Sequence, residues 1–208
     1  MNTSALIAAT VLALAASGCA TTGQVGPAEV TRFIAPDAAA RLGQGTVFVE
    51  SAPGQDGDSL ALTPYKAAVA RELTRLGYRE APREMASQVA QVRLEQFVAG
   101  DDGLRRGPVS VGVGGSTGTF GSGLGLGIGI NLGGGRKRDE LVTRLGLMIR
   151  DKASGATYWE GRAQFSVSPD SPLAASEANA HALAGALLKD FPGANGETVE
   201  VPVTNLPK

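Results

Sequence analysis

The stretch Glu140–Ser168, ELVTRLGLMIRDKASGATYWEGRAQFSVS, decides the fold. Leu141, Leu145, Leu147 and Ile149 fall on one face of its first half. Trp159, Ala163, Phe165 and Val167 fall on one face of its second half, and Ser154-Gly155 marks a turn between them. Period-two alternation on both sides of a turn predicts a β-hairpin over residues 140–150 and 157–168. Each arm then has an apolar face that another layer must cover.

Two helices supply that layer. Tyr65, Val69, Leu73 and Leu76 recur at helical spacing, with Thr63-Pro64 read as N-cap plus N1 proline and Gly77 as the C′ glycine. Ser171-Pro172 repeats the start signal. Leu173, Ala180, Leu183, Ala184, Leu187 and Leu188 then read as a second amphipathic helix ending near Phe191-Pro192-Gly193. Further strands are expected at Val30–Ile34, at Thr46–Glu50 and at Gln88–Phe97. In the last of these, Ala90, Val92 and Leu94 face the core and Gln91, Arg93 and Glu95 face water. Val199, Val201 and Val203 suggest a final strand, and Pro202 suits a sheet edge. The predicted order is β-β-α-β-(insert)-β-β-α-β. This is an α/β chain of the α+β type: a mixed, largely antiparallel sheet with two helices on one face and a glycine-rich β-hairpin insertion.

The insertion, residues 107–138, holds much of the chain's unusual complement of 29 glycines. Gly121, Gly123, Gly125, Gly127 and Gly129 alternate with Ser122, Leu124, Leu126, Ile128 and Ile130. Glycine at every second position reads as a strand with one bare and one aliphatic face. Val109, Val111 and Val113 supply an opposing arm. Val111, Val113, Leu124, Leu126, Ile128 and Ile130 are therefore candidate partner-binding residues, with a plain surface excursion as the alternative. Arg105-Arg106 precede the insertion and Arg136-Lys137-Arg138 follow it. If the arms pair, these five cations meet at the hairpin base and could hold a lipid head group or another anion. The competing reading is that they keep an exposed edge soluble.

The N-terminus gives an address. Asn2–Gly18 contain no charged side chain, and Leu6–Leu14 is an apolar run of signal-peptide length, too short to span a bilayer comfortably. Ala16-Ser17-Gly18 precede Cys19, the only cysteine of the chain. That is the layout of a lipobox, with Cys19 as the lipidated residue; an ordinary secretory signal is the alternative. The expected organisation is residues 1–18 as lipoprotein signal peptide, 19–28 as tether and 29–204 as one periplasmic α/β domain. Ala20, rather than Asp, after the cysteine favours the outer membrane by analogy.

The formal net charge of −1 points away from nucleic acid. A single His181 excludes multi-histidine metal sites, and no cofactor is expected. Gly114-Gly115-Ser116-Thr117-Gly118 matches G-x-S-x-G, and Asp139, Asp151 or Asp170 followed by His181 completes a hydrolase-like order. The motif needs a strand before it and a helix after it, whereas here glycine-rich chain follows, so an esterase-like activity is a remote alternative and no catalytic residue is assigned.

The resemblance to a known family rests on several segments in order. These are Cys19, the helix end Glu72-Leu73-Thr74-Arg75-Leu76-Gly77-Tyr78, the Gln88–Phe97 strand and the glycine-rich insert. The hairpin segment Gly155–Ala163 and the closing Leu187-Leu188-Lys189-Asp190-Phe191-Pro192 complete them. Over about residues 30–192 the chain resembles bacterial lipoproteins of the domain-of-unknown-function 4136 family. The resemblance implies an α/β periplasmic domain tethered to the outer membrane and transfers no catalytic residue. The expected role is a non-enzymatic interaction module in envelope assembly or maintenance, bound to the membrane by its lipid and to an envelope protein partner. A carrier or sensor of a lipid or envelope glycan is the second reading.

Overall fold

A computed structural model describes residues 25–100, 103–106 and 139–203. The elements are β1 (Ala28–Ile34), β2 (Thr46–Ser51), α1 (Thr63–Arg75), β3 (Arg79–Glu80), β4 (Gln88–Gly100), β5 (Gly103–Arg106), β6 (Glu140–Asp151), β7 (Thr157–Val167), α2 (Ser176–Leu188) and β8 (Thr198–Val201). Among the described residues they form one eight-stranded sheet in the order β3-β2-β4-β6-β7-β1-β8, with β5 also pairing with β4. β2 runs parallel to β3 and β4, and the other pairings are antiparallel. The fold is therefore the mixed, largely antiparallel α+β sheet that the alternation predicts.

The hairpin at the centre is β6–β7, in register from Leu141 opposite Val167 to Ile149 opposite Trp159. Leu145, Leu147, Ile149, Trp159, Ala163 and Phe165 are buried with Ala90, Val92 and Leu94 of β4. Both helices cover this face. Tyr65, Ala68, Val69 and Leu73 of α1 close one half, and Leu183, Leu187 and Leu188 of α2 the other. Burying a side chain of this size contributes about 1.5–3 kcal/mol, so these rows dominate the stability of the fold.

Gly77 ends α1 as predicted. Its φ is +105°, and a Cβ there would lie 2.5 Å from the Gly43 carbonyl oxygen. Tyr78 N–H donates to Leu73 O and Gly77 N–H to Thr74 O, each over 3.1 Å, which is the double closure of a Schellman motif. At the far end of the core, Trp159 lies across Gly161, where an added Cβ would meet the indole at 2.2 Å. The Trp159 indole N–H donates to Pro192 O over 2.9 Å, and its ring packs at 5.3 Å from Phe191.

Four expectations need correction. Thr63 does not cap α1; the chain enters through a turn at Ser59–Leu62, and the Thr63 hydroxyl donates back to Ser59 O. Ser171-Pro172 starts a 3-10 turn, Pro172–Ala174, rather than α2, which begins at Ser176. Leu173 therefore lies before the helix. α2 is not amphipathic: Asn179, Ala180 and Ala182–Leu188 are buried, because its small residues let the sheet and α1 close on it. Gln91 is buried rather than water-facing, since its amide donates to Glu50 Oε1 over 3.0 Å beside the buried Met148.

Candidate functional site

The face of the sheet away from the helices carries the polar parity of the strands. Cross-strand register places Glu200, Glu29, Gln164, Arg144 and Glu95 in one row across β8, β1, β7, β6 and β4. Arg144 organises the row. Its Nε donates to Gln164 Oε1 over 2.9 Å, its Nη1 pairs with Glu95 at 3.0 Å, and its guanidinium lies 5.5 Å from the Phe97 ring centroid. With side chains 39% and 36% exposed, the Arg144–Glu95 pair orients the surface more than it stabilises it. At the edge of the row, Glu29 and Glu200 face each other. Burial, with the Glu200 charge adding to it, pushes the Glu29 carboxyl above its usual range. The adjacent row places Gly146 between Arg93 and Arg162, so a bare backbone strip lies between two arginines.

A second polar chain closes the turn end of the hairpin. Arg41 Nη1 donates to the Tyr158 hydroxyl, which donates to Asp151 Oδ2, each over 2.8 Å. The Ser154 backbone N–H, the Tyr158 hydroxyl and the Ser154 hydroxyl hold the Asp151 carboxyl down at about 2. An ionised carboxylate engaged by three donors acts as a turn anchor rather than as a proton acceptor. His181 lies elsewhere, on α2, with Nε2 at 3.0 Å from Arg71 Nη1 of α1. Asp151 and His181 are thus not brought together as a catalytic pair, and Ser116 lies outside the described residues.

A third cluster sits where α1 and α2 begin. The Tyr65 hydroxyl donates to Asn179 Oδ1 over 2.9 Å, and Asn179 Nδ2 donates to Leu173 O over 3.0 Å. Gln96 Nε2 donates to Tyr65 and Thr143. Burial raises the pKa of Tyr65, so its phenol stays neutral and locks the helices to β4 and β6.

Of the sequence-predicted site residues, Arg105 and Arg106 lie on β5, opposite Val98 and Phe97 of β4. Asp139 and Glu140 lead into β6 on the other side of β4. The residues that flank the insertion are therefore placed on either side of one strand. Cys19, Val111, Val113, Leu124, Leu126, Ile128, Ile130, Arg136, Lys137 and Arg138 lie outside the described residues, as does the predicted glycine-rich hairpin. Among the described residues, no group of His, Cys, Asp or Glu is placed to hold a metal ion, and no helix is long and apolar enough to cross a membrane.

Sequence reasoning missed Arg32. Its Nε donates to Leu187 O over 3.0 Å, and its Nη2 to Ala186 O and Lys189 O over 3.1 and 2.9 Å. The signal was available: Arg32 shares the strand parity of Ala28, Val30 and Ile34, the core face.

No family model matches the chain, and no curated protein does. Among solved structures it is similar to the PelC dodecamer from Paraburkholderia phytofirmans, at 15% identity and a TM-score of 0.46, over 81% of this chain and 99% of that one. It is also similar to a PDZ domain protein from Parabacteroides distasonis, at 14% identity and a TM-score of 0.49, over 86% of this chain and 38% of that one. At these values the likeness says nothing of what this chain does.

Proposed function

We propose that this chain is a lipid-anchored periplasmic protein of the outer membrane, related to the domain-of-unknown-function 4136 lipoproteins. Its role is that of a non-enzymatic interaction module in cell-envelope assembly or maintenance. The observation that carries the reading is the position of Cys19. The chain's sole cysteine follows Ala16-Ser17-Gly18, six residues before Val25, where the described fold begins. Acyl chains on that cysteine contribute ~0.8 kcal/mol per buried CH₂, enough for stable anchoring. The mounting of residues 107–138 supports a contact role. The residues that flank this segment are held by β5 and β6 on both sides of β4, and the sequence between them alternates glycine with aliphatic residues.

The test is crosslinking capture from native membranes, with the full chain beside a form lacking residues 108–135. An envelope protein captured by the full chain alone supports docking through the insertion. Equal capture by both forms moves the contact to the α/β body. Absence of any specific capture contradicts the interaction reading.

A further inference from the structure

We propose that the domain stands on the membrane with one defined pole toward the lipid: the pole where β4 and β7 end, where β6 begins and where α1 starts. The inference rests on the anchoring of Cys19 argued above and adds an orientation to it. Strand directions define the pole. Val98 lies opposite Leu141, and Leu141 opposite Val167, so the end of β4, the start of β6 and the end of β7 share one level. Val25 bridges Val167, and Gly26 N–H donates to Ser166 O over 3.2 Å, so the chain leaves the domain at that level. From Val25 back to Cys19 is six residues, which reach at most about 20 Å when fully extended. β6, at 12 residues, spans about 40 Å from this pole to the opposite turn.

The tether is thus about half as long as the sheet. The opposite pole, at Asp151–Ala156, can approach lipid only if the domain lies flat, and then the exit pole touches as well. Leu60 sits at the exit pole, in the turn that leads into α1, and is 88% exposed. It is the most exposed large apolar side chain among the described residues. Asp56, Asp58, Asp170 and Glu177 are exposed around the starts of the two helices. These carboxylates resist burial in a bilayer, so the pole rests on the head-group layer through Leu60 and does not insert. The turn at Asp151–Ala156 then faces away from the lipid, while the Arg144 row lies on the open face of the sheet, three residues on from Leu141 at the lipid-proximal end of β6.

The full chain is made with a fluorescent amino acid at position 60 or, separately, at position 153, both exposed sites. The acylated protein is reconstituted into phosphatidylethanolamine–phosphatidylglycerol vesicles carrying a head-group acceptor dye. Energy transfer several-fold stronger from position 60 than from position 153 is expected. Equal transfer, or stronger transfer from position 153, overturns the orientation. Intact mass separates this from failure of the anchoring reading. If Cys19 carries no acyl group, its thiol is coupled to maleimide-bearing lipid in the same vesicles. The tether is then the same six residues, and the same two outcomes decide the orientation.

Discussion

Arg32 Nε donates to the Leu187 carbonyl over 3.0 Å, tying strand β1 to the last turn of α2. The same guanidinium takes the Ala186 and Lys189 carbonyls, so a buried cation satisfies groups that a helix C-terminus leaves open. Burial lowers the Arg32 pKa while the Asp190 charge offsets part of that shift, and the side chain stays charged. Arg32→Met strands the Leu187 and Lys189 carbonyls, while Ala186 O keeps the Lys189 N–H over 3.4 Å, and is expected to cost about 2–3 kcal/mol in urea unfolding. Arg32→Lys recovers only part of this, because an ammonium lacks the fork that reaches all three.

Glu29 and Glu200 form the opposite case, two carboxylates set against each other. The folded pKa of Glu29 lies above its usual 4.5, so its ionised form destabilises the fold. That penalty is fully present above the folded pKa and vanishes as the pH falls below 4.5. Glu200→Lys is expected to raise stability at pH 7 by about 0.5–1 kcal/mol, the scale of a cross-strand pair. Denaturation curves at pH 7 and pH 4 check this; a gain of equal size at both would contradict it.

Gly161 has no room for a side chain, since an added Cβ would lie 2.2 Å from Trp159 and 2.9 Å from Leu187. Gly161→Ala must tilt the indole away from Pro192 O, and is expected to cost about 2 kcal/mol or more. A shift in Trp159 fluorescence, from the chain's single tryptophan, would accompany it.

Asp151 gives the acid limb. Its depressed pKa of about 2 contributes stability that is present above 3.8 and is lost as the pH falls through the folded value. Tyr158→Phe removes one donor, and the Asp151 pKa is expected to rise toward 3.8 in a carboxyl-carbon NMR titration. An unchanged value would mean that the Ser154 donors and the Ala153 backbone N–H set it without Tyr158.

The fold was legible where a local rule and burial agree. β6–β7 was legible because its Leu145, Leu147, Ile149, Trp159, Ala163 and Phe165 face the helices, although the other face carries buried Val142, Met148 and Tyr158 beside Arg144, Arg162 and Glu160. Gly77 marked the end of α1 because few other residues accept its positive φ. Sequence misled where tertiary contact overrides the local signal. Ser171-Pro172 reads as a helix start, yet its Ser171 hydroxyl accepts from Leu173 N–H in a separate 3-10 turn. α2 looked amphipathic because the eye follows its leucines, while its alanines are buried as deeply. The Arg144 row could not be read in advance, because it depends on register across five strands far apart in the chain. β5 was missed because Gly103–Arg106 lacks β-branched residues, and β4 alone draws it into pairing.

The central claim is that Cys19 is the anchored N-terminus of the mature protein. Mass spectrometry of the N-terminal peptide from protein extracted out of native membranes tests it directly. The account predicts a peptide that begins at Cys19 and carries the mass of a diacylglyceryl group plus a further acyl chain. A mature terminus at any other residue, or a free Cys19 thiol, would contradict it.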